Sequence, residues 1–368
     1  LHEAEPLAVA LDDSRRLGQV SVFLSRYFHS VGMYDQAIAA GQRALALATA
    51  AGDVLLQALA HQYLGQAYMT QSDYRRAIDY LGQAVVSFDG VPPHERFGTV
   101  TLPAVFSRFL LARCYAHLGT FAEGRSLAEE GLRIAEAVAD PASLMFALRG
   151  IGVLGLRQGD LPRALPQLER AMAICQGADL RAIFPAVAAD LGDTYTLDGR
   201  VIDAVPLLAR AIEQSTVAKD GRSESNCCRS MGEAQLLSGY LQEAHAFAER
   251  ALALAYELQE RGTQAYTLRL LGEIAARREP PERHQAEAAY QQALALAEEL
   301  GMRPLQAHCH LGLGTVYTQV DRPAQARAEL STAIALYRAM EMTFWLPSAE
   351  AALAGVAEPT SLKSGSSS

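Results

Sequence analysis

The stretch Leu191–Ala211, LGDTYTLDGRVIDAVPLLARA, sets apolar residues at helical spacing on both sides of one glycine: Leu191, Gly192 and Tyr195, then Gly199, then Ala204, Leu208 and Ala211. Apolar positions three and four apart predict two amphipathic helices, and the glycine between them predicts a tight turn. The arrangement recurs, with substitutions, along the chain. The Gly192 position is filled in order by Ser25, Gly65, Ala112, Gly152, Gly192, Gly232, Gly272 and Gly314, at spacings of 40, 47, 40, 40, 40, 40 and 42 residues. Its partner position holds Ala37, Ala77, Gly124, Ala164, Ala204, Ala244, Ala286 and Ala326. Glycine inside a helix costs about 1 kcal/mol against alanine, so its recurrence predicts close approach of the facing helix. Tyr68, Tyr115, Tyr195 and Tyr317 recur beside that contact and are expected in the core.

Between the paired helices Gly32, Gly119, Gly159, Gly199 and Gly239 share one turn position, and Asp35, Asp73, Asp160 and Asp203 stand near the starts of second helices, where the helix dipole favours an acid. Five segments depart from the repeat. Residues 2–11 read as the second helix of a preceding, truncated pair, so that 1–13 would cap an array spanning 14–338. Phe88–Pro103 holds three prolines and two glycines and predicts an insertion loop, while Pro280-Pro281 lengthens the seventh turn by two residues. Thr343–Val356, with the chain's single tryptophan Trp345, predicts a capping helix within 339–358, and 359–368 is Ser-rich and expected to be disordered.

Composition narrows the function. A net charge of −9 argues against a broad basic nucleic-acid surface. Cys114, Cys175, Cys227, Cys228 and Cys309 are scattered and odd in number, which favours a reducing cytoplasm over a disulfide framework. No signal peptide or membrane span is evident, and the chain opens on Leu1, which fits a piece of something longer. Phosphate-loop, zinc-protease and Gly-x-Ser-x-Gly signatures are missing, so no enzyme activity and no cofactor are expected. His308-Cys309-His310 is the nearest approach to a metal cluster, but two histidines two apart on a helix diverge, as do the adjacent Cys227 and Cys228.

The Leu-Gly-x-x-Tyr, turn glycine and Ala-x-x-x-Leu-x-x-Ala pattern resembles the tetratricopeptide repeat (TPR) family over about residues 14–338. The resemblance implies an all-α, right-handed superhelical solenoid of about eight helix pairs. The period of mostly 40 exceeds the family's 34, and the family's early Trp and closing Pro are not at their places, which implies longer helices or loops. In that family the first helix of each pair lines a concave groove. Counting from each repeat glycine puts Phe106, Phe109, Arg113, Phe146, Arg149, Arg157, Arg229, Tyr266, Arg269 and Arg277 on this face, together with His117. Arginine suits bidentate contact with carboxylate or phosphate, so a protein segment with acidic and hydrophobic residues is the expected partner. The alternative is that Arg229 with Glu233 and Arg269 with Glu273, four apart, neutralise themselves. Charge reversal at Arg149 and Arg229 is expected to weaken an acidic ligand and leave helicity intact. The Lys/Asn pair of chaperone-tail-binding TPR proteins is absent.

A narrower resemblance links Glu95–Gly98, Leu270–Arg278, Gln292–Gly314 and Met342–Leu346 to the C-terminal TPR region of bacterial proteins that join a class III adenylate/guanylate cyclase to an ATPase module. It implies a sensor or docking arm acting on attached output domains. A freestanding adaptor that binds peptide in trans, or the arm of an ATPase-coupled transcription regulator, are the alternatives.

Overall fold

In the computed structural model, which describes Pro6, Ala10 and residues 13–356, seventeen helices follow one another among the described residues. Eight antiparallel pairs run α1 Ser14–Ser30 and α2 Tyr34–Ala50, α3 Val54–Thr70 and α4 Tyr74–Asp89, α5 Pro103–Leu118 and α6 Phe121–Val138, and α7 Pro141–Gln158 and α8 Leu161–Gly177. They continue as α9 Phe184–Leu197 and α10 Val201–Ala218, α11 Gly221–Leu237 and α12 Leu241–Glu257, α13 Arg261–Arg277 and α14 Arg283–Glu299, and α15 Arg303–Gln319 and α16 Pro323–Ala339. A last helix, α17, spans Leu346–Ala354.

Helices stop and start where local chemistry dictates. Gly32, Gly119, Gly159, Gly199 and Gly239 hold φ between 78° and 83°, the left-handed region a side chain resists. The Asp73 and Asp160 side chains cap α4 and α8, and Asp53, Asp140 and Asp220 do the same for α3, α7 and α11.

The repeat glycines have a sharper role than facing an alanine. A Cβ on Gly192 would lie 2.7 Å from the Leu208 side chain, and one on Gly65 would lie 2.5 Å from Leu81 and 3.2 Å from the Ala77 carbonyl oxygen. The leucine four residues beyond the small partner therefore inserts into the space left by the missing side chain. Gly152 with Leu168 and Gly314 with Leu330 repeat the contact. In the seventh pair the inserted residue is Tyr290, displaced by the longer turn at Pro280-Pro281. Where the first pair has serine, the Ser25 hydroxyl donates to the Ala37 carbonyl at 2.7 Å.

Three boundaries differ from the sequence reading. Phe88 and Asp89 belong to α4 and Pro103 opens α5, so the insertion loop is 90–102; Phe88 is a buried core residue and proline fits a helix's first position. That loop folds over the start of α7, with Arg96 paired to Asp140 at 2.5 Å and the Leu102 amide donating to Ser143 Oγ at 2.8 Å. The last helix is shorter than Thr343–Val356, because 343–345 form a turn that turns Trp345 onto Tyr337. The expected helix at 2–11 lies outside the described residues except for Pro6 and Ala10, and the tail 359–368 lies wholly outside them.

The array curls until its first half meets its second. Arg222 of α11 donates to the Tyr34 hydroxyl at 2.8 Å and pairs with Glu260 at 2.8 Å. The Gly262 amide at the start of α13 donates to Ser72 Oγ at 2.8 Å, across 190 residues. Farther along, the turn at Gly119 packs against Met340, and the turn at Gly159 packs against Phe344 and Trp345. Each within-pair turn of the first four repeats is thus seated on a helix start or inter-repeat turn about five repeats later.

Candidate inner-face interaction site

At three of the boundaries between neighbouring first helices, charged residues stand at two recurring positions, one residue after the repeat glycine or alanine and three before the next. These positions lie 36 residues apart and act as a rung. Between the fifth and sixth pairs the rung is Asp193 with Arg229, whose Nη2 donates to Oδ2 at 2.6 Å. Between the sixth and seventh it is Glu233 with Arg269, which also holds Glu273 at 2.6 Å. Arg277 in turn holds Glu273 at 2.6 Å and is half exposed.

Between the third and fourth pairs the same rung brings together two cations, Arg113 and Arg149. Arg149 turns to Asp190, its Nε 2.5 Å from Oδ2, and donates to the Ala186 carbonyl at 3.0 Å. Arg113 has no carboxylate within 4.0 Å among the described residues, and its buried Nε has no hydrogen-bond partner. Both guanidinium groups lie over the Phe109 ring, at 5.7 and 5.4 Å, where the ring's negative face partly offsets their charge. Burial, and then the Arg149 charge, lowers the Arg113 pKa. Phe106, Phe109 and Phe146 form one aromatic cluster behind them, with Phe146 5.0 Å from each of the other two rings.

A second group lies where the two halves meet. Arg157 sits over Tyr266 at 4.4 Å and Arg229 over the same ring at 5.9 Å. The Tyr266 hydroxyl is 3.3 Å from His117 Nδ1, and the His117 ring stacks on Tyr74 at 4.8 Å. Arg157 reaches Asp193 only at 4.0 Å, and its buried Nε has no partner. Burial pushes the His117 pKa well down, and Arg157, Arg113 and Arg229 push it further. Its imidazole is therefore neutral at neutral pH. Burial opposes ionisation of Asp193, yet Arg229 and Arg157 hold its carboxyl below the usual range.

All ten residues expected on the inner face are thus placed, in three environments. Phe106, Phe109, Phe146, Arg113 and Arg149 form the first; Arg157, Arg229 and Tyr266 form the second; Arg269 and Arg277 belong to a balanced network with Glu233 and Glu273. Two expectations change. Arg229 pairs across the repeat boundary with Asp193 rather than with Glu233, whose carboxylate is held by Arg269. Arg149 and Arg229 are 5% exposed and paired, so reversing their charge would bury unpaired like charges and disturb the fold as well as any ligand.

Asp190 and Tyr74 entered the site without being singled out. The 36-residue rung spacing marks Arg113 as facing another arginine, which is the signal for a displaced acid such as Asp190. Nothing periodic marks Tyr74, which arrives through the closure. At the other end, His308 bonds the Tyr337 hydroxyl at 2.8 Å and His310 the Glu329 carboxylate at 2.5 Å. These two histidines serve different partners.

The tetratricopeptide repeat family model matches residues 105–177. No curated protein matches the chain significantly. Among solved structures, the Rap conjugation gene regulator of plasmid pLS20, in complex with the Phr* peptide, shares 12% identity over 85% of this chain and 86% of that one, with a TM-score of 0.62. The apo quorum sensor NprR from B. thuringiensis shares 15% identity over 90% and 91%, with a TM-score of 0.56. A signal-transduction ATPase of the STAND class from Pyrococcus horikoshii, with a tetratricopeptide repeat sensor, shares 12% identity at a TM-score of 0.52; the match covers 95% of this chain and 50% of that one. The chain therefore carries tetratricopeptide repeat sequence within an all-helical solenoid of tetratricopeptide repeat type.

Proposed function

We propose that this chain is a non-catalytic recognition module that captures a protein or peptide segment bearing acidic and apolar groups on its inner face. The observation that carries the reading is the cation excess there. Arg113, Arg149, Arg157 and Arg229 share two carboxylates, Asp190 and Asp193, beside the rings of Phe109 and Tyr266. Arginines flanked by aromatic faces combine charge, planarity and apolar surface, the composition typical of recognition centres. The peptide-bound Rap regulator, which shares the fold, supports a peptide as the occupant.

The module acts as a sensor or docking arm on output domains of a longer bacterial signalling protein, cyclase or ATPase, in a reducing cytoplasm. The STAND ATPase supports this arrangement, since the same fold fills half of that chain. Five buried cysteines kept as thiols suit such a compartment.

A displayed peptide library selected on the wild-type chain tests the proposal. Enrichment of sequences pairing acidic with large apolar residues, lost with the Arg113→Gln/Arg157→Gln variant, is the expected result. Enrichment of basic sequences, or the same consensus on the variant, contradicts it.

A further inference from the structure

We infer that a cleft between α8, α9 and α10, at the boundary of the fourth and fifth pairs, binds a small organic molecule through a carboxylate or phosphate held by Arg210. The inference goes beyond the inner-face proposal, since none of the residues lining the cleft is among the ten assigned to that face.

The cleft lies beside a helix that starts late. At the spacing of the repeat, neighbouring first helices begin at Pro141, Gly221, Arg261 and Arg303, which puts the matching start of α9 at Arg181. α9 instead begins at Phe184 and has 14 residues, against 17 or 18 in those neighbours. Pro185 is the reason. In a helix begun at 181 it would stand at the fifth position, where it lacks the amide that bonds the carbonyl four residues back and its ring presses on that carbonyl. It is accommodated in a first turn, so 181–183 form a non-helical turn instead, and Gln214 Nε2 donates to the Arg181 carbonyl at 2.9 Å.

Beside this turn opens a cleft of about 530 Å³, within the range of about 300–1,000 Å³ usual for small-molecule sites. Its lining includes Gln176 of α8, Asp179 and Arg181 of the connection, Phe184 of α9, and Arg210 and Gln214 of α10. Two guanidinium groups against one carboxylate leave it net positive, in a chain whose net charge is −9.

The next repeat shows what the cleft lacks. Forty residues on, Arg250 corresponds to Arg210, Glu224 to Phe184 and Thr216 to Gln176. There Arg250 donates to Glu224 Oε1 from Nε at 3.0 Å and from Nη2 at 2.5 Å, and to Thr216 Oγ1 at 3.2 Å. In the cleft a ring stands in the place of that carboxylate: the Arg210 guanidinium lies 4.5 Å from the centroid of Phe184. Arg210 has no carboxylate within 4.0 Å among the described residues, and Asp179 is held by Arg181 at 2.7 Å. The Phe184 face steadies the guanidinium, and Arg210 is exposed, so its donors are open to a ligand. An oxyanion accepting from that planar fork takes the role that Glu224 has one repeat later.

The test is thermal unfolding of the full chain with benzoate, phenyl phosphate or neutral benzamide, at an ionic strength held constant with sodium chloride. Benzoate should raise the melting temperature with the logarithm of its concentration, and benzamide should not. A rise with phenyl phosphate alone assigns a phosphate group in place of a carboxylate. Arg210→Gln should weaken the apparent affinity about tenfold, as loss of a charged hydrogen bond does. Gln176→Trp, filling the cleft from an exposed position, should abolish the response. Phe184→Glu, which restores the acid of the next repeat, should satisfy Arg210 within the chain and abolish it too. Arg338→Gln, whose partner Glu350 lies on α17, should keep the wild-type response.

No shift with either anion, an equal shift with benzamide, or an unchanged shift in Arg210→Gln overturns the site. Circular dichroism without ligand identifies any variant that has misfolded, and the folded variants then carry the comparison.

Discussion

In four of the eight pairs, a leucine from the second helix fills the gap over a glycine of the first; where the two halves of the array meet, rings, hydroxyls and charges from distant repeats take over. Gly192 with Leu208 represents the first kind of contact, Tyr74, His117 and Tyr266 the second. The repeat interior is apolar, local and periodic, so its strength depends on volume. The seam is polar and non-local, so its strength depends on protonation and pairing. A solenoid built this way has a durable thread and a condition-dependent closure.

Removing a paired charge from the inner face should produce the largest loss. Arg229→Ala leaves Asp193 buried without its 2.6 Å partner and should destabilise by about 3–5 kcal/mol in urea unfolding. Arg113→Gln removes a cation that has no carboxylate partner, and should leave stability equal or raised. Similar losses from both would erase the distinction drawn between paired and unpaired arginines.

Acid should loosen the seam next. The pKa of His29, His117 and His308 is depressed by burial in every case, His308 to about 3. Below an unfolded-state value near 6.5 the unfolded chain binds protons that the folded chain refuses, so stability falls as pH drops from about 6.5 toward the folded values. Each histidine contributes up to about 1.4 kcal/mol per pH unit in that window. Glu260, raised by burial despite Arg222, works in the opposite direction because its folded form takes up a proton first. Melting followed between pH 7.5 and 5 should show the net decline, and replacement of His117 by Gln should flatten it. A pH-independent melting temperature would contradict the buried neutral state of these rings.

Overpacking a repeat should cost about 1–3 kcal/mol or somewhat more: Gly192→Leu drives a side chain into Leu208. Wild-type melting of that variant would refute the register of the glycine–leucine lock. The finest comparison uses two turn glycines of the same conformation. Gly199 and Gly159 have φ of 78° and 81°, but nothing lies within 4 Å of a Cβ on Gly199, whereas one on Gly159 would stand 2.6 Å from Phe344 Cβ. Gly199→Ala should cost about 1–2 kcal/mol from backbone strain alone, and Gly159→Ala should cost more. Equal losses would mean that the Gly159 turn is not packed against the turn that precedes the last helix.

The contrast also explains what was legible in the sequence. The lock joins residues 16 apart and recurs in four of the eight pairs, and the helix pairs and turn glycines could be read directly. Its detailed form could not, because a small residue opposite a small residue suggests bare backbone contact until the leucine beyond them is placed. The arginines of the site were visible and Asp190 was not, and Arg229 pairs 36 residues back with Asp193 rather than four residues on with Glu233, while Arg269 keeps both kinds of partner. The seam left no trace in the periodicity. Ser72 meets Gly262 across 190 residues only because curvature accumulates over five repeats.

That contact offers the most direct test of closure. A Cβ on Gly262 would lie 3.6 Å from Ser72 Cβ, a separation within disulfide range. The five native cysteines are buried, and burial raises Cys114 and Cys309 to about 12, so they compete poorly for oxidant. The Ser72→Cys/Gly262→Cys double variant, oxidised mildly and examined by non-reducing electrophoresis and peptide mapping, should form an intramolecular 72–262 disulfide in folded monomer. Failure to form it, in a variant whose helicity and melting match the wild type, would show that the two halves of the array do not meet.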